Sequence, residues 1–380
     1  MSESALERRV RNAIRELEGD GLRRTLQPPS GIDLSSNDYL GLATHPLVKD
    51  RMAAAVLNEG SGSTGSRLLR GNRESFVQVE RRFAEFKGAE SALYFATGYA
   101  ANIGVLASFI ERHDLVFSDD QNHASIIDGI RLSRARRTRF PHCDVDRVAQ
   151  LLRSAPADTQ KFLVTESLFS MDGDFAPLAE YAELCRETGT VLIVDEAHAV
   201  GIYGACGSGY VEETGTESAV TLTINTAGKA LGVAGAFVAG PEWAIDFLIQ
   251  RARPFIFSTA PPPSVAAALE ASLDVVRDEP ERRRTLQAKC TLLREMLADS
   301  ELNIPSSNSQ IVPIILGDNQ RATSVAAELQ REGFDVRALR PPTVPAGTAR
   351  LRITVNSGLD ESVLRRFTMT LGKICSTVCS

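Results

Sequence analysis

VLIVDEAH, residues 191–198, decides the fold. Four apolar residues in a row suit a strand buried on both faces, and the run then turns acidic and reaches a histidine. Such a strand belongs inside a parallel sheet. Working outward, ALYFA (92–96), LVFSD (115–119), KFLVTES (161–167), TLTIN (221–225) and AFVAG (236–240) read as further strands. Helical patterns alternate with them, among them FVQVERRFAEFKG (76–88), VDRVAQLLRSA (145–155) and LAEYAELCRETG (178–189). This alternation predicts an α/β fold, a mostly parallel sheet with helices on both faces, over residues 46–270.

Residues 1–45 read as a charged helix, LERRVRNAIRELEGDGL, followed by a short strand, IDLSS. The long helix PPPSVAAALEASLDVVRD leads out of the large domain. Residues 271–380 then carry QIVPIILG, the helix SVAAELQREG, FDVRAL, the strand ARLRITVNS and a closing helix from Asp360. That order is expected of a small α+β domain.

The chain has 380 residues, 43% hydrophobic and 24% charged, with a formal net charge of -6. A mildly acidic balance excludes nucleic acid as the expected partner, because phosphate binding needs a basic footprint. The basic runs RRVRNAIR (8–15) and RLSRARRTR (131–139) are short and read as solvated helix faces. Six scattered cysteines without CxxC or zinc spacing read as reduced thiols, and no metal site is expected. The N-terminus lacks an apolar signal core, so the expected location is the cytoplasm. Residues 92–110 carry no charge, but Thr97, Gly98, Asn102, Gly104 and Ser108 interrupt them. They read as strand, turn and buried helix, not as a membrane span.

Between Ser218 and Pro241 the only charge is Lys229. Such a lysine either snorkels to the surface or is a buried amine whose desolvation frees a nucleophile. Asp195 ends its strand where ligands bind in open α/β sheets. Metal is the poorer use of it, since alternation aims Glu196 to the opposite face. An acid there, with a lone lysine one strand-helix-strand unit later, is the pairing that pyridoxal phosphate requires: the lysine holds the aldehyde and the acid keeps the ring nitrogen protonated. The amides of Gly98 and Tyr99 at a helix N-terminus, with the hydroxyl of Thr226, suit its phosphate. His123 offers a ring that could stack on a flat cofactor, though a lone histidine is more often structural. Gly60–Gly65 spells a literal GxGxxG, the mark of a nicotinamide dehydrogenase. Its context is wrong: a helix precedes it and no helix pattern starts immediately after it.

These residues resemble the α-oxoamine synthases, pyridoxal phosphate enzymes of fold type I. The likeness runs through SSNDYLGL (35–42), TGYAAN, NHASIIDGIRLSRA, TESLFSMDGD, DEAHAVG, TAGKALGVAGA and FSTAPPP to RPPTVPAGTARLRIT (340–354). The resemblance implies that Lys229 carries the cofactor, Asp195 partners its ring nitrogen and His123 stacks on it. It implies that His198 and Ser170 bind the ring oxygen, and that Gly98, Tyr99 and Thr226 receive the phosphate. Arg352 would hold a substrate carboxylate, and Arg23 and Thr343 would meet the acyl substrate. Obligate homodimers with a shared active site are also implied, with Asn37 and Thr259 offered to the neighbouring subunit. Within the family the likeness is greatest to the member that joins L-alanine to a pimeloyl thioester, on acyl carrier protein or coenzyme A. Sister enzymes using glycine, serine or another acyl chain are the nearest alternative. Ala199 and Ala227 stand where the family usually has glycine and an aromatic, which leaves the catalytic groups intact.

Overall fold

The computed structural model describes residues 3–298, 300, 302–305 and 308–378. They divide into two compact units. The smaller comprises Met1–Ser36, Met171–Gly173 and Gln287–Ser380, and the larger comprises Asn37–Ser170 and Asp174–Leu286. The expected cuts at 45 and 270 therefore move. The N-terminal segment groups with the C-terminal part, because strand β1 (Ile32–Asp33) pairs in parallel with Phe334–Asp335.

The larger unit holds seven strands: β2 (Ser91–Phe95), β3 (Leu115–Asp119), β4 (Arg136–Phe140), β5 (Lys161–Glu166), β6 (Val191–Asp195), β7 (Val220–Thr226) and β8 (Ala236–Gly240). Their order across the sheet is β2-β8-β7-β6-β5-β3-β4. β3 to β7 are parallel neighbours, and β8 runs against both β2 and β7. Period-two alternation splits the apolar residues between two layers. Leu93, Val116, Val164, Ile193 and Leu222 pack with helices Gly98–Phe109 and Ala124–Ser133 on one face. Phe117, Leu163, Leu192 and Val194 pack with helices Val145–Ser154 and Leu178–Thr188 on the other. Asp119, Glu166, Asp195 and Thr226 thus stand together at the carboxyl ends of parallel strands.

The basic run 131–139 is only half helix. The helix stops at Ser133, Arg134 takes φ 64, and Arg136–Phe140 becomes the edge strand β4. Its arginines fit an edge, where charge blocks further strand pairing. RRVRNAIR, by contrast, lies in helix Ala5–Gly19, which buries none of its residues. The helix Glu281–Ala298 had no reading in the sequence.

The smaller unit contains β9 (Ile311–Gly317), β10 (Phe334–Asp335), β11 (Ala338–Leu339) and β12 (Ala349–Thr354). β12 lies between β11 and β9, antiparallel to both, and helices Asn319–Arg331 and Glu361–Val378 complete the unit. No helix among the described residues is long and apolar enough to cross a membrane. The five described cysteines are free thiols, and Cys379 lies outside the described residues.

Asp119 also anchors a charge clamp in the larger unit. His142 places Nδ1 3.0 Å from Asp119 and Nε2 2.7 Å from Asp174. Asp119, His142 and Cys143 have metal-ligating atoms within 4.8 Å of one another, but both ring nitrogens already face carboxylates. Burial opposes the charge on His142, yet the bonds to Asp119 and Asp174 prevail and raise its pKa to about 12. A raised folded pKa stabilises most below the unfolded value of about 6.5, and that contribution falls as pH climbs toward the folded value. Apoprotein carrying His142→Asn should therefore lose about 2 kcal/mol at pH 6, less than a fully enclosed pair because solvent reaches the ring. The gap to wild type should narrow by pH 9 in urea unfolding. A gap that widened would contradict a charged His142.

Candidate active site

Lys229 follows β7 in a turn that glycine makes possible. Gly232 has φ +66, and a Cβ there would meet the backbone nitrogen of Ala43 at 2.4 Å. The lysine is half-buried. Nζ donates to His198 Nε2 at 2.8 Å. On the other side of that ring, Tyr39 Oη lies 2.6 Å from Nδ1 and donates to Asn37 Oδ1 at 3.0 Å. A phenol has one proton to give, so His198 Nδ1–H must donate to Tyr39, which leaves Nε2 as the acceptor for lysine. The relay Asn37–Tyr39–His198–Lys229 thereby sets the histidine's tautomer. Within its own chain, Asn37 accepts from Tyr39 through its side-chain carbonyl.

A second line of bonds runs from Asp195. Its Oδ2 accepts from Asn102 Nδ2 at 2.7 Å and its Oδ1 from the Ala197 amide at 2.9 Å. Asn102 also donates to Ser125 Oγ at 3.0 Å, and that hydroxyl lies 2.7 Å from His123 Nδ1. Since the Ser125 amide donates to the same nitrogen, Nδ1 is bare and the proton sits on Nε2. Burial holds the His123 pKa below its ordinary value, with Asp195 pulling it up and Lys229 pushing it down. His123 is thus a neutral, flat ring within electrostatic reach of both key groups.

Glu196 points away, as strand alternation required. It is wholly buried and accepts from Lys87 Nζ at 2.6 Å. Asp195 is therefore left to act alone at this strand end.

Helix Gly98–Phe109 begins where Thr97 Oγ1 caps the Ala100 amide. The amides of Gly98 and Tyr99 precede the first helical bond and face outward, as anion sites require. A Cβ on Gly98 would lie 2.5 Å from Thr226 Oγ1, so only glycine lets this hydroxyl close on the helix start. Tyr99 is exposed, and its phenol donates to Asp128. The cradle suits a phosphate, and buried Asp195 with neutral His123 suits a cationic aromatic ring. These residues fit pyridoxal phosphate.

Ser170 donates its amide to Glu166. Thr259 is exposed and bridges to Ser66, while the Ala260 amide donates to Gly65 at 2.9 Å. The Gly-rich loop is thus strapped to residues 259–260, and the next helix begins only at Glu74, which rules out the dinucleotide arrangement.

Arg23, Thr343 and Arg352 belong to the smaller unit. Arg23 pairs with Glu18 at 2.9 Å. Arg340 reaches the carbonyls of Gly21 and Arg23, and Arg24 that of Pro341 at 3.1 Å. These bonds lace segments 21–24 and 340–343 together, which brings Arg23 and Thr343 to one junction. Arg352 is buried in β12, 3.4 Å from Thr354 Oγ1.

Tyr39, Asn102 and Ser125 were given no site role in the sequence reading. Asn102 left a usable signal, being the sole amide in the apolar helix GYAANIGVLASF. Tyr39 left only its position inside SSNDYLGL.

The family model for aminotransferase class I and II matches residues 29–371. An 8-amino-7-oxononanoate synthase from Anaeromyxobacter dehalogenans is 45% identical over 374 residues, covering 95% of this chain and 94% of the relative. The one from Geobacter sulfurreducens is 42% identical, covering 97% and 98%. Among solved structures, a serine palmitoyltransferase from S. paucimobilis with a bound PLP–myriocin aldimine superposes with a TM-score of 0.93, at 28% identity over 99% of both chains. The 8-amino-7-oxononanoate synthase of Francisella tularensis gives a TM-score of 0.79 at 29% identity, covering 92% of this chain and 99% of that one. The chain belongs to the class I and II aminotransferase family and, within it, to the 8-amino-7-oxononanoate synthases.

Proposed function

We propose that the protein condenses L-alanine with a pimeloyl thioester to give 8-amino-7-oxononanoate, carbon dioxide and the free thiol carrier, a step of biotin biosynthesis. The observation that carries this reading is Lys229, its amine on His198 Nε2 and, like Asp195, within electrostatic reach of His123, in a chain 45% identical to such synthases. Pyridoxal phosphate, held through Lys229, supplies the electron sink that lets the alanine Cα act as a carbon nucleophile.

The chain's own groups do the rest. Asp195, oriented by the two donors Asn102 and Ala197, would hold a proton at the ring nitrogen. His123 lies against the ring, Ser170 and His198 bind its oxygen, and Gly98, Tyr99 and Thr226 receive the phosphate. Lys229, with its amine free, would be the base for the α-proton of alanine. His198 Nε2 is available to take a proton from Nζ, because its own proton is held at Nδ1 by Tyr39. Arg352 holds the alanine carboxylate, and the junction of Arg23 and Thr343 meets the acyl chain. The enzyme works as a homodimer, with Thr259 completing the partner's phosphate site. Co-refolding Lys229→Ala chains with Thr259→Ala chains should restore activity above either variant alone, and no gain would remove Thr259 from that role.

Tyr39→Phe would leave the Nδ1–H of His198 buried without its acceptor, at a cost of about 1–3 kcal/mol. A fall in kcat/KM of about tenfold is expected, with the fold retained. Unchanged kinetics would show that His198 does not depend on this phenol.

The reaction itself is tested by incubating the protein with pyridoxal phosphate, alanine, glycine or serine, and a panel of acyl thioesters on coenzyme A and acyl carrier protein. The ketone is then identified by mass. Alanine with the pimeloyl thioester should dominate. A dominant glycine product would replace this reading with a sister synthase.

A further inference from the structure

Glu166 ends β5 as Asp195 ends β6, and the two are register partners on neighbouring parallel strands. Glu166 is 3% exposed, yet it has no part in the reaction described above. Its bonds are specific. Oε1 accepts from the His123 amide at 2.6 Å, and the carboxyl group also accepts from the Ser170 amide. In return, the Glu166 amide donates to Asn122 Oδ1 at 3.1 Å, and Asn122 Nδ2 donates to the Val164 carbonyl at 2.8 Å. The loop before His123 is therefore clipped to β5 in both directions.

We infer that Glu166 is a positioning residue, whose single carboxyl group fixes the backbones of His123 and Ser170 in one frame with Asp195. The inference rests on His123 and Ser170 being contacts of pyridoxal phosphate. His123 and Ser170 lie 47 residues apart in sequence, and Glu166 is the side chain that both amides share. A stacking ring and a ring-oxygen contact are useful only at a fixed distance from the acid at the ring nitrogen, and β5–β6 pairing sets that distance.

The charge state suits the task. Burial, with Asp195 next to it, pushes the Glu166 pKa up to about 8, while Lys229 and the amides of His123 and Ser170 pull the other way. Near neutral pH Glu166 mostly holds a proton. Asp195 beside it accepts from Asn102 and Ala197. A second full carboxylate would compete with Asp195 for the same cationic partners.

The test compares Glu166→Ala and Glu166→Gln with wild type, read three ways. These are the thermal midpoint of the apoprotein, the affinity for pyridoxal phosphate by absorbance titration, and the visible circular dichroism per bound cofactor, which reports how the ring is held. Glu166→Ala should bind the cofactor roughly 10–100-fold more weakly, with diminished circular dichroism and an apoprotein midpoint within a few degrees of wild type. Glu166→Gln keeps one accepting oxygen and should recover part of both signals. Native affinity and native circular dichroism in Glu166→Ala would overturn the inference. So would equal losses of midpoint and affinity in both variants, which would make the residue merely structural. If wild type itself takes up no cofactor, the proposed function fails first, and the two failures are told apart.

Discussion

Lys229→Ala should lower turnover by about 10³-fold or more while leaving the fold intact. Two losses combine. The cofactor has no amine to hold it, and the α-proton of alanine has no base within reach. The substitution is gentle on the structure, because the lysine lies in a turn and is only half-buried, with its amine on His198 Nε2. That histidine keeps its Nδ1 proton on Tyr39, so the relay behind it survives. Added small amines should restore part of the rate, since the cavity vacated by the side chain admits a base. Turnover within tenfold of wild type would assign the chemistry to a different lysine.

Asp195→Asn should fold and lose about 10³-fold in kcat. An amide cannot stabilise a protonated ring nitrogen, so the electron sink fails even with the cofactor in place. The structure adds a second consequence. Both carboxylate oxygens of Asp195 accept hydrogen bonds, one from Asn102 and one from Ala197. An amide NH₂ in their place faces a donor, and the natural relief is a flip of the Asn102 amide. The flip costs Asn102 its bond to Ser125, which is the hydroxyl that bonds His123. The variant should therefore also hold its cofactor less rigidly. Steady-state kinetics with the absorbance titration check both parts, and near-native kcat would give Asp195 a different role.

Much of the large unit could be read in advance because fully buried strands leave continuous apolar runs. VLIVD, KFLVTE and AFVAG are the clearest cases, and Asp195 and Lys229 stand out as single charges against such backgrounds. β4 could not be read this way. RRTRF is an edge strand with one neighbour, so its exposed arginines look like any basic surface. The supporting polar groups were hidden for a different reason. Tyr39 meets His198 across 159 residues, Asn102 meets Asp195 across 93, and Glu166 meets His123 across 43. Contacts of that range are made by the sheet, and no local spacing announces them.

Lys229 is expected to be the residue that carries pyridoxal phosphate. Borohydride reduction of the cofactor-loaded protein, followed by peptide mapping by mass, measures this directly. The account predicts a pyridoxyl group on the peptide that contains Lys229, whereas a stoichiometric label on any other lysine would contradict it.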